Sequence, residues 1–179
     1  MNTILISMMM SGLITFFTPG SSSKSSGANS PLAVGSEVPE FSLPDQNGKI
    51  FDLKSVLGKE NLVIFFYVKD ETPVCTKEVC TFRDNYSAFR DAGAAVIGIS
   101  SQSIGSHKEF SDKYKLPYEL LADTGNKVRD LFGVNNNGPI PERVTFVINK
   151  QGKVVYVYDS MTKPVEHVTE ALRILKQLS

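Results

Sequence analysis

From Asn61 to Val68 the chain reads Asn-Leu-Val-Ile-Phe-Phe-Tyr-Val, a run of strand length that is apolar, β-branched or aromatic at nearly every position. It has no polar-apolar alternation that would leave one face for water, so a strand formed here must be covered on both sides. This predicts a central strand with a layer packed on each face. The flanking sequence can supply those layers. Ala94 to Ser100 is a second buried strand, and from about Thr76 to Ala92 the residues Val79, Phe82, Tyr86 and Phe89 recur at helical spacing, closed by Gly93.

Helices are expected from about Ser106 to Tyr114 and Asn126 to Phe132, with a short strand at Tyr118 to Leu121 between them. Val144 to Asn149 and Val154 to Tyr158 flank Lys150-Gln151-Gly152-Lys153 as a hairpin. Val165 to Leu178 carries Val165, Val168, Leu172, Leu175 and Leu178 on one stripe, as an amphipathic terminal helix does. Upstream, Phe41 to Leu43 and Ile50 to Leu53 flank Asp45-Gln46-Asn47-Gly48, a second hairpin with an Asn-Gly turn. The order ββ, then β-α-β-α-β-α-β-β-α, predicts an α/β architecture, a mixed central sheet with helices on both faces.

The folded unit is expected over residues 34–179. Residues 4 to 17 form an uncharged apolar stretch, too short for a comfortable membrane span and of the length of an export or plastid-targeting core. No Lys or Arg precedes it and no Ala-x-Ala site follows, so an uncleaved anchor and a plain extension stay open beside a targeting segment over 1–17. Residues 18–33, rich in Ser and Gly, read as a flexible linker. A plastid or thylakoid setting, a bacterial envelope and the cytoplasm all remain open.

Charge excludes one class of partner. With 19 Lys+Arg against 19 Asp+Glu the chain has no net positive charge for a phosphate backbone, so nucleic acid is not expected. At 41 % hydrophobic and 21 % charged residues it can build a core.

The two cysteines, Cys75 and Cys80, lie close together in a chain with no others. The polar turn from Lys69 to Val74 delivers Cys75 to the start of a helix, where unpaired backbone N–H groups and the positive end of the helix dipole favour thiolate over thiol. The bland reading of Cys75 is a small buried hydrophobe. In an intact helix five residues separate two Cα atoms by roughly 8.6 Å, beyond the limit of about 7 Å for a disulfide. Any Cys75–Cys80 bridge is therefore conditional on local unwinding, which suits a redox switch or a catalytic cycle better than a structural staple.

Neither His107 nor His167 sits at a zinc spacing, and both read as solvated surface positions. Nothing nominates either as the base of a Cys/His hydrolase. No Gly-rich phosphate loop or dinucleotide fingerprint follows a strand, so neither metal nor cofactor is expected.

The segment Phe66-Tyr67-Val68-Lys69-Asp70-Glu71-Thr72-Pro73-Val74-Cys75-Thr76-Lys77-Glu78-Val79-Cys80-Thr81-Phe82-Arg83-Asp84 resembles the active site of peroxiredoxins of the Q type, the bacterioferritin comigratory proteins. Gly35 to Leu53 and Pro141 to Ile148 resemble other parts of the same family, and the likeness runs from about Val34 to Leu178. The resemblance implies a thioredoxin-like fold, reduction of hydrogen peroxide and organic hydroperoxides, and recycling by thioredoxin or a similar dithiol. It makes Cys75 the peroxidatic cysteine, Thr72 the hydroxyl that bonds it and the peroxide, Arg143 the arginine of the pocket and Cys80 the resolving cysteine. A resolving cysteine in the same chain implies a monomer. Glu78 and Arg83 read as solvated positions on the helix.

Two positions depart from the family pattern: Val68 stands where it has proline, and Val74 where it usually has glycine. A β-branched residue at 74 would be costly if the backbone there needed positive φ. The alternative function is a redox-sensing or partner-binding thioredoxin-fold protein with poor turnover.

Overall fold

The computed structural model describes residues 30–135 and 138–178. The targeting segment expected over 1–17 and most of the linker over 18–33 lie outside the described residues. Seven strands form: β1 (Ser42–Pro44), β2 (Ile50–Asp52), β3 (Asn61–Phe66), β4 (Ala94–Ser100), β5 (Glu119–Ala122), β6 (Val144–Ile148) and β7 (Val154–Asp159). The apolar run becomes β3, buried at every residue and central in a sheet of order β5-β4-β3-β6-β7. β4 and β5 extend it in parallel, while β6 and β7 continue it antiparallel. β1 and β2 pair as a separate hairpin whose turn uses Gly48 at φ 77°. There Asp45 Oδ1 accepts from the amides of Asn47 and Lys49 at 2.8 and 2.9 Å.

Alternation along β3 divides the core in two. Leu62, Ile64 and Phe66 face a cluster completed by Phe41, Leu53, Phe146, and Val128 and Phe132 at the short helix α4 (Lys127–Leu131). Val63 and Phe65, followed by Tyr67, face the opposite layer. That layer is built from α1 (Pro73–Asp84), α2 (Tyr86–Asp91), α3 (Ile104–Tyr114) and α5 (Pro164–Leu178). Phe65 stacks on Phe82 of α1 at 4.3 Å between ring centroids. Gly98 of β4 makes room for that ring, because a Cβ there would lie 2.7 Å from both Phe65 and Leu120. The expected sheet with helices on both faces is therefore present, four on one side and α4 on the other.

The helix expected from Thr76 to Ala92 starts three residues earlier and bends at Asn85 into α1 and α2. Asn85 leaves helical geometry (φ −107°, ψ 9°) while its side-chain amide donates to the Thr81 carbonyl at 2.9 Å, competing locally with the backbone ladder. Among the described residues no helix is long and apolar enough to cross a membrane.

Topology concentrates the chemistry at one edge. The parallel strands β3, β4 and β5 all end there and hand the chain to α1, α3 and α4, the position where open α/β sheets bind ligands. Antiparallel β6 begins at that edge, so Arg143, one residue before it, arrives beside the end of β3.

Candidate active site

The chain leaves β3 through a short loop fastened on several sides. The Tyr67 amide donates to the Ile99 carbonyl at 3.1 Å, and the Tyr67 hydroxyl to Asp70 Oδ1 at 2.6 Å. Glu71 takes φ 62°, and Lys113 of α3 binds its carboxylate at 2.6 Å. Thr72 returns to extended backbone, and Pro73 occupies the first helical position, where its missing N–H leaves no helical bond unmade. Cys75 is the third residue of α1 and is 1 % exposed.

The Cys75 sulfur accepts a hydrogen bond from Arg143 Nη2 at 3.1 Å. Arg143 is itself buried, and its Nη1 donates to a carboxylate oxygen of Glu78, three residues beyond Cys75 on α1. Burial works to lower the Arg143 pKa, but Glu78 and Cys75 outweigh it and the guanidinium stays charged. Burial pushes Glu78 up to about 8 against the pull of Arg143. Its Oε1 has no hydrogen-bond partner among the described residues and lies 3.6 Å from Nδ1 of His167 on α5.

His167 is neutral, lowered to about 4 by burial with Arg143 adding to the effect. Its Nε2 is 2.9 Å from the Ser160 carbonyl, which can only accept, so Nε2 is assigned the proton and Nδ1 accepts from the Thr145 hydroxyl at 2.8 Å. A second buried cation, Arg129 of α4, donates to the carbonyls of Tyr67 and Glu142, each at 2.8 Å. It thereby ties the end of β3 to the residue preceding Arg143.

The structure brings Cys75 and Arg143 into contact and puts Cys80 on the same helix, half-buried, with both thiols free. Burial raises the Cys80 thiol pKa, Arg83 opposing, which keeps that sulfur protonated in the closed helix. Thr72 lies at the N-terminus of α1, but its hydroxyl donates to the Lys69 carbonyl at 3.0 Å and not to the cysteine sulfur.

Three expectations are corrected. Glu78 is fully buried against Arg143 and not solvated; Arg83 stays near the surface, bonded to Asp84 and the Tyr114 carbonyl. His107 and His167 are both wholly buried, each in its own polar cluster. The signal was helical spacing: Cys75, Glu78, Val79 and Phe82 share a face, as do His107 and Phe110, and His167 with Ala171. Arg129 carries no comparable sequence signal. Val74 is exposed with no positive φ; the left-handed residue of the loop is Glu71, so valine at 74 introduces no backbone strain. Among the described residues no group of three or more His, Cys, Asp or Glu could hold a metal ion.

The chain is similar to known proteins along most of its length. The model of the AhpC/TSA family matches residues 34–157. Peroxiredoxin Q, chloroplastic, of Oryza sativa subsp. japonica is 48 % identical over 149 residues, covering 82 % of this chain and 68 % of that protein. The crystal structure of peroxidoxin BcpB from Mycobacterium tuberculosis superposes with TM-score 0.77 at 35 % identity, covering 82 % of this chain and 97 % of that one. A structure of Xanthomonas campestris bacterioferritin comigratory protein, described in terms of alkyl peroxide reduction activity, superposes with TM-score 0.71 at 32 % identity, covering 77 % and 91 %. With its cysteine at a helix start, its buried arginine and this likeness along most of its length, the chain belongs to the AhpC/TSA family, as a peroxiredoxin of the Q type.

Proposed function

We propose that Cys75 is the nucleophile of this peroxidase and Cys80 the thiol that resolves its oxidised form. As a peroxiredoxin the chain is a thiol-dependent peroxidase, an oxidoreductase acting on peroxides with a thiol reductant. The observation that carries the assignment is the 3.1 Å hydrogen bond from buried Arg143 to the Cys75 sulfur. A charged donor at this distance is placed to hydrogen-bond the sulfur as it reacts, and a charge-assisted bond of this kind is among the stronger ones.

The thiolate attacks one oxygen of ROOH. The S–O bond forms, the O–O bond breaks, and the leaving RO⁻ takes a proton from solvent to become alcohol or water. Arg143 Nε, buried and without a hydrogen-bond partner among the described residues, is a donor available to the oxygen that gains charge. The Thr72 hydroxyl, its hydrogen engaged with Lys69, keeps lone pairs to accept the hydroperoxide O–H.

Cys75–SOH then condenses with the Cys80 thiol: the S–S bond forms, the S–O bond breaks and water leaves. The helical separation of roughly 8.6 Å requires α1 to open first. Opening also releases Cys80 from the burial that keeps it protonated. A dithiol returns two electrons: one of its thiolates attacks the disulfide, forming a mixed disulfide and freeing one cysteine, and its second thiol then displaces the other, so that the reductant leaves as a disulfide and both cysteines are thiols again. Thioredoxin or a similar small dithiol protein is the proposed reductant, hydrogen peroxide and organic hydroperoxides are the proposed substrates, and a monomer is the proposed working unit. A plastid is the proposed compartment, on the chloroplastic naming of the rice relative and the apolar segment at 4–17.

The test is steady-state peroxide consumption with a thioredoxin system, run on the full chain beside Cys75→Ser and Cys80→Ser. Wild type should turn over, Cys75→Ser should be inert, and Cys80→Ser should oxidise once without thioredoxin-supported cycling. If wild type consumes one equivalent and stops, the sensor reading replaces the peroxidase one.

A further inference from the structure

We propose that Tyr67, Asp70, Ser106 and His107 form a latch that fastens to α3 the loop that carries Thr72 and leads into α1, and so sets how readily α1 opens. This rests on the reading of Cys75 and Cys80 given above. Three side chains converge on one buried carboxylate. Asp70 Oδ1 accepts from the Tyr67 hydroxyl at 2.6 Å and Oδ2 from the Ser106 hydroxyl at 2.6 Å; His107 Nδ1 lies 2.9 Å from Oδ2 and is assigned a proton there, since the carboxylate can only accept. Tyr67 and His107 are wholly buried and Asp70 is 4 % exposed. Burial works to raise the Asp70 pKa, but its bonds to His107, Ser106 and Tyr67 outweigh that and hold it below the usual carboxylate value. The cluster is therefore a fully donated carboxylate, the form in which a buried acid rigidifies its surroundings.

Its place in the chain makes it more than core packing. Asp70 stands two residues before Thr72 and five before Cys75. Glu71, between Asp70 and Thr72, holds the left-handed backbone that a glutamate adopts only where its neighbours impose it. Beyond the cysteine, the Tyr118 hydroxyl donates to the Val79 carbonyl of α1 at 2.7 Å. The segment that must unwind for Cys75 to meet Cys80 thus hangs between two anchors, the Asp70 cluster upstream and Tyr118 downstream.

Two fates compete for Cys75 once it is a sulfenic acid. In the closed helix its deprotonated form can attack a second hydroperoxide: an S–O bond forms, the O–O bond breaks, ROH leaves after protonation, and the sulfur is left as sulfinate. In the opened helix it condenses with Cys80. A tighter latch lengthens the closed state and favours sulfinate; a looser one favours the disulfide.

The experiment uses the full chain with Asp70→Asn, His107→Gln and Ser106→Ala, cycled with a thioredoxin system at increasing peroxide, with Cys75 sulfinate counted by intact mass. Losing a hydrogen bond to a buried charge should shift opening about tenfold. The peroxide concentration giving half sulfinate should rise by about that factor in Asp70→Asn and His107→Gln, and in the same direction but less in Ser106→Ala. First oxidation of Cys75 should slow in all three. If His107→Gln does not fold, Ser106→Ala decides, since it leaves Tyr67 and His107 on Asp70. Sulfinate appearing at the wild-type peroxide concentration in variants that still form the Cys75–Cys80 disulfide overturns the latch. Failure of wild type itself to form that disulfide overturns instead the reading of Cys80 on which the latch depends.

Discussion

Replacing Glu78 with glutamine should change how stability depends on pH. Glu78 is wholly buried, bonded to Arg143 through one oxygen and unbonded at the other. Burial lifts its pKa from 4.5 to about 8, so the folded protein holds this proton more tightly than the unfolded chain does. Stability from the protonated carboxyl is fully present below pH 4.5 and is lost as pH rises through about 8. At 1.36 kcal/mol per pKa unit, wild type should lose about 5 kcal/mol relative to Glu78→Gln between pH 4.5 and 8, as an upper figure. His167, with its pKa lowered to about 4, loses stability in the opposite direction as pH falls, but it is present in both proteins and cancels in the difference. The assay is urea unfolding of both proteins at half-unit pH steps from 5 to 9. The expected result is a difference that favours Glu78→Gln increasingly up to about pH 8 and then levels. Parallel curves across the range would mean that Arg143 keeps Glu78 ionised throughout, and would refute the reasoning.

Three substitutions elsewhere in the site and core carry their own expected outcomes. Arg143→Lys keeps the charge but not the fork that reaches both Cys75 and Glu78, and should lower the second-order rate of Cys75 oxidation by about 10²- to 10³-fold; a rate within threefold of wild type in stopped-flow would remove Arg143 from the mechanism. Val74→Gly places glycine in a helical turn with no left-handed demand, so it should cost up to about 1 kcal/mol and speed disulfide formation; a higher melting temperature would show instead that valine strains the turn. Gly98→Ala puts a methyl 2.7 Å from Phe65 and Leu120. It should cost roughly 1–3 kcal/mol by denaturant unfolding while leaving the rate constant for peroxide unchanged, and a neutral result would show that the Phe65 ring repacks freely.

Much of the fold was legible because it depends on local periodicity. The apolar run at 61–68 could only be a covered strand, and the turn after it put Cys75 at a helix start on sequence alone. The bend at Asn85 was not legible, since the apolar spacing from Val79 to Phe89 continues through it and only the side-chain bond to Thr81 breaks the geometry. Arg143 was singled out by resemblance, not by anything local, because its partner is 68 positions away and reaches it through the pairing of β3 with β6. For Glu78, His107 and His167 residue type points the wrong way: charged and imidazole groups are usually solvated, whereas these three lie on the inward faces of their helices. What polar side chains do in a core depends on partners that no single segment contains, such as Asp70 for His107 and Thr145 for His167.

The chain segment leading to Arg143 is tied off at its base. The Glu142 amide donates to the Asn135 carbonyl at 2.9 Å, the Asn135 amide donates to the Glu142 carboxylate at 3.1 Å, and Arg129 holds the Glu142 carbonyl. The distance from guanidinium to sulfur is thus held by the pairing of Phe66 with Val144 and by this neck. Loosening either tie, at Arg129 or at Glu142, would therefore act on the sulfur from a distance, by letting the guanidinium drift away from it.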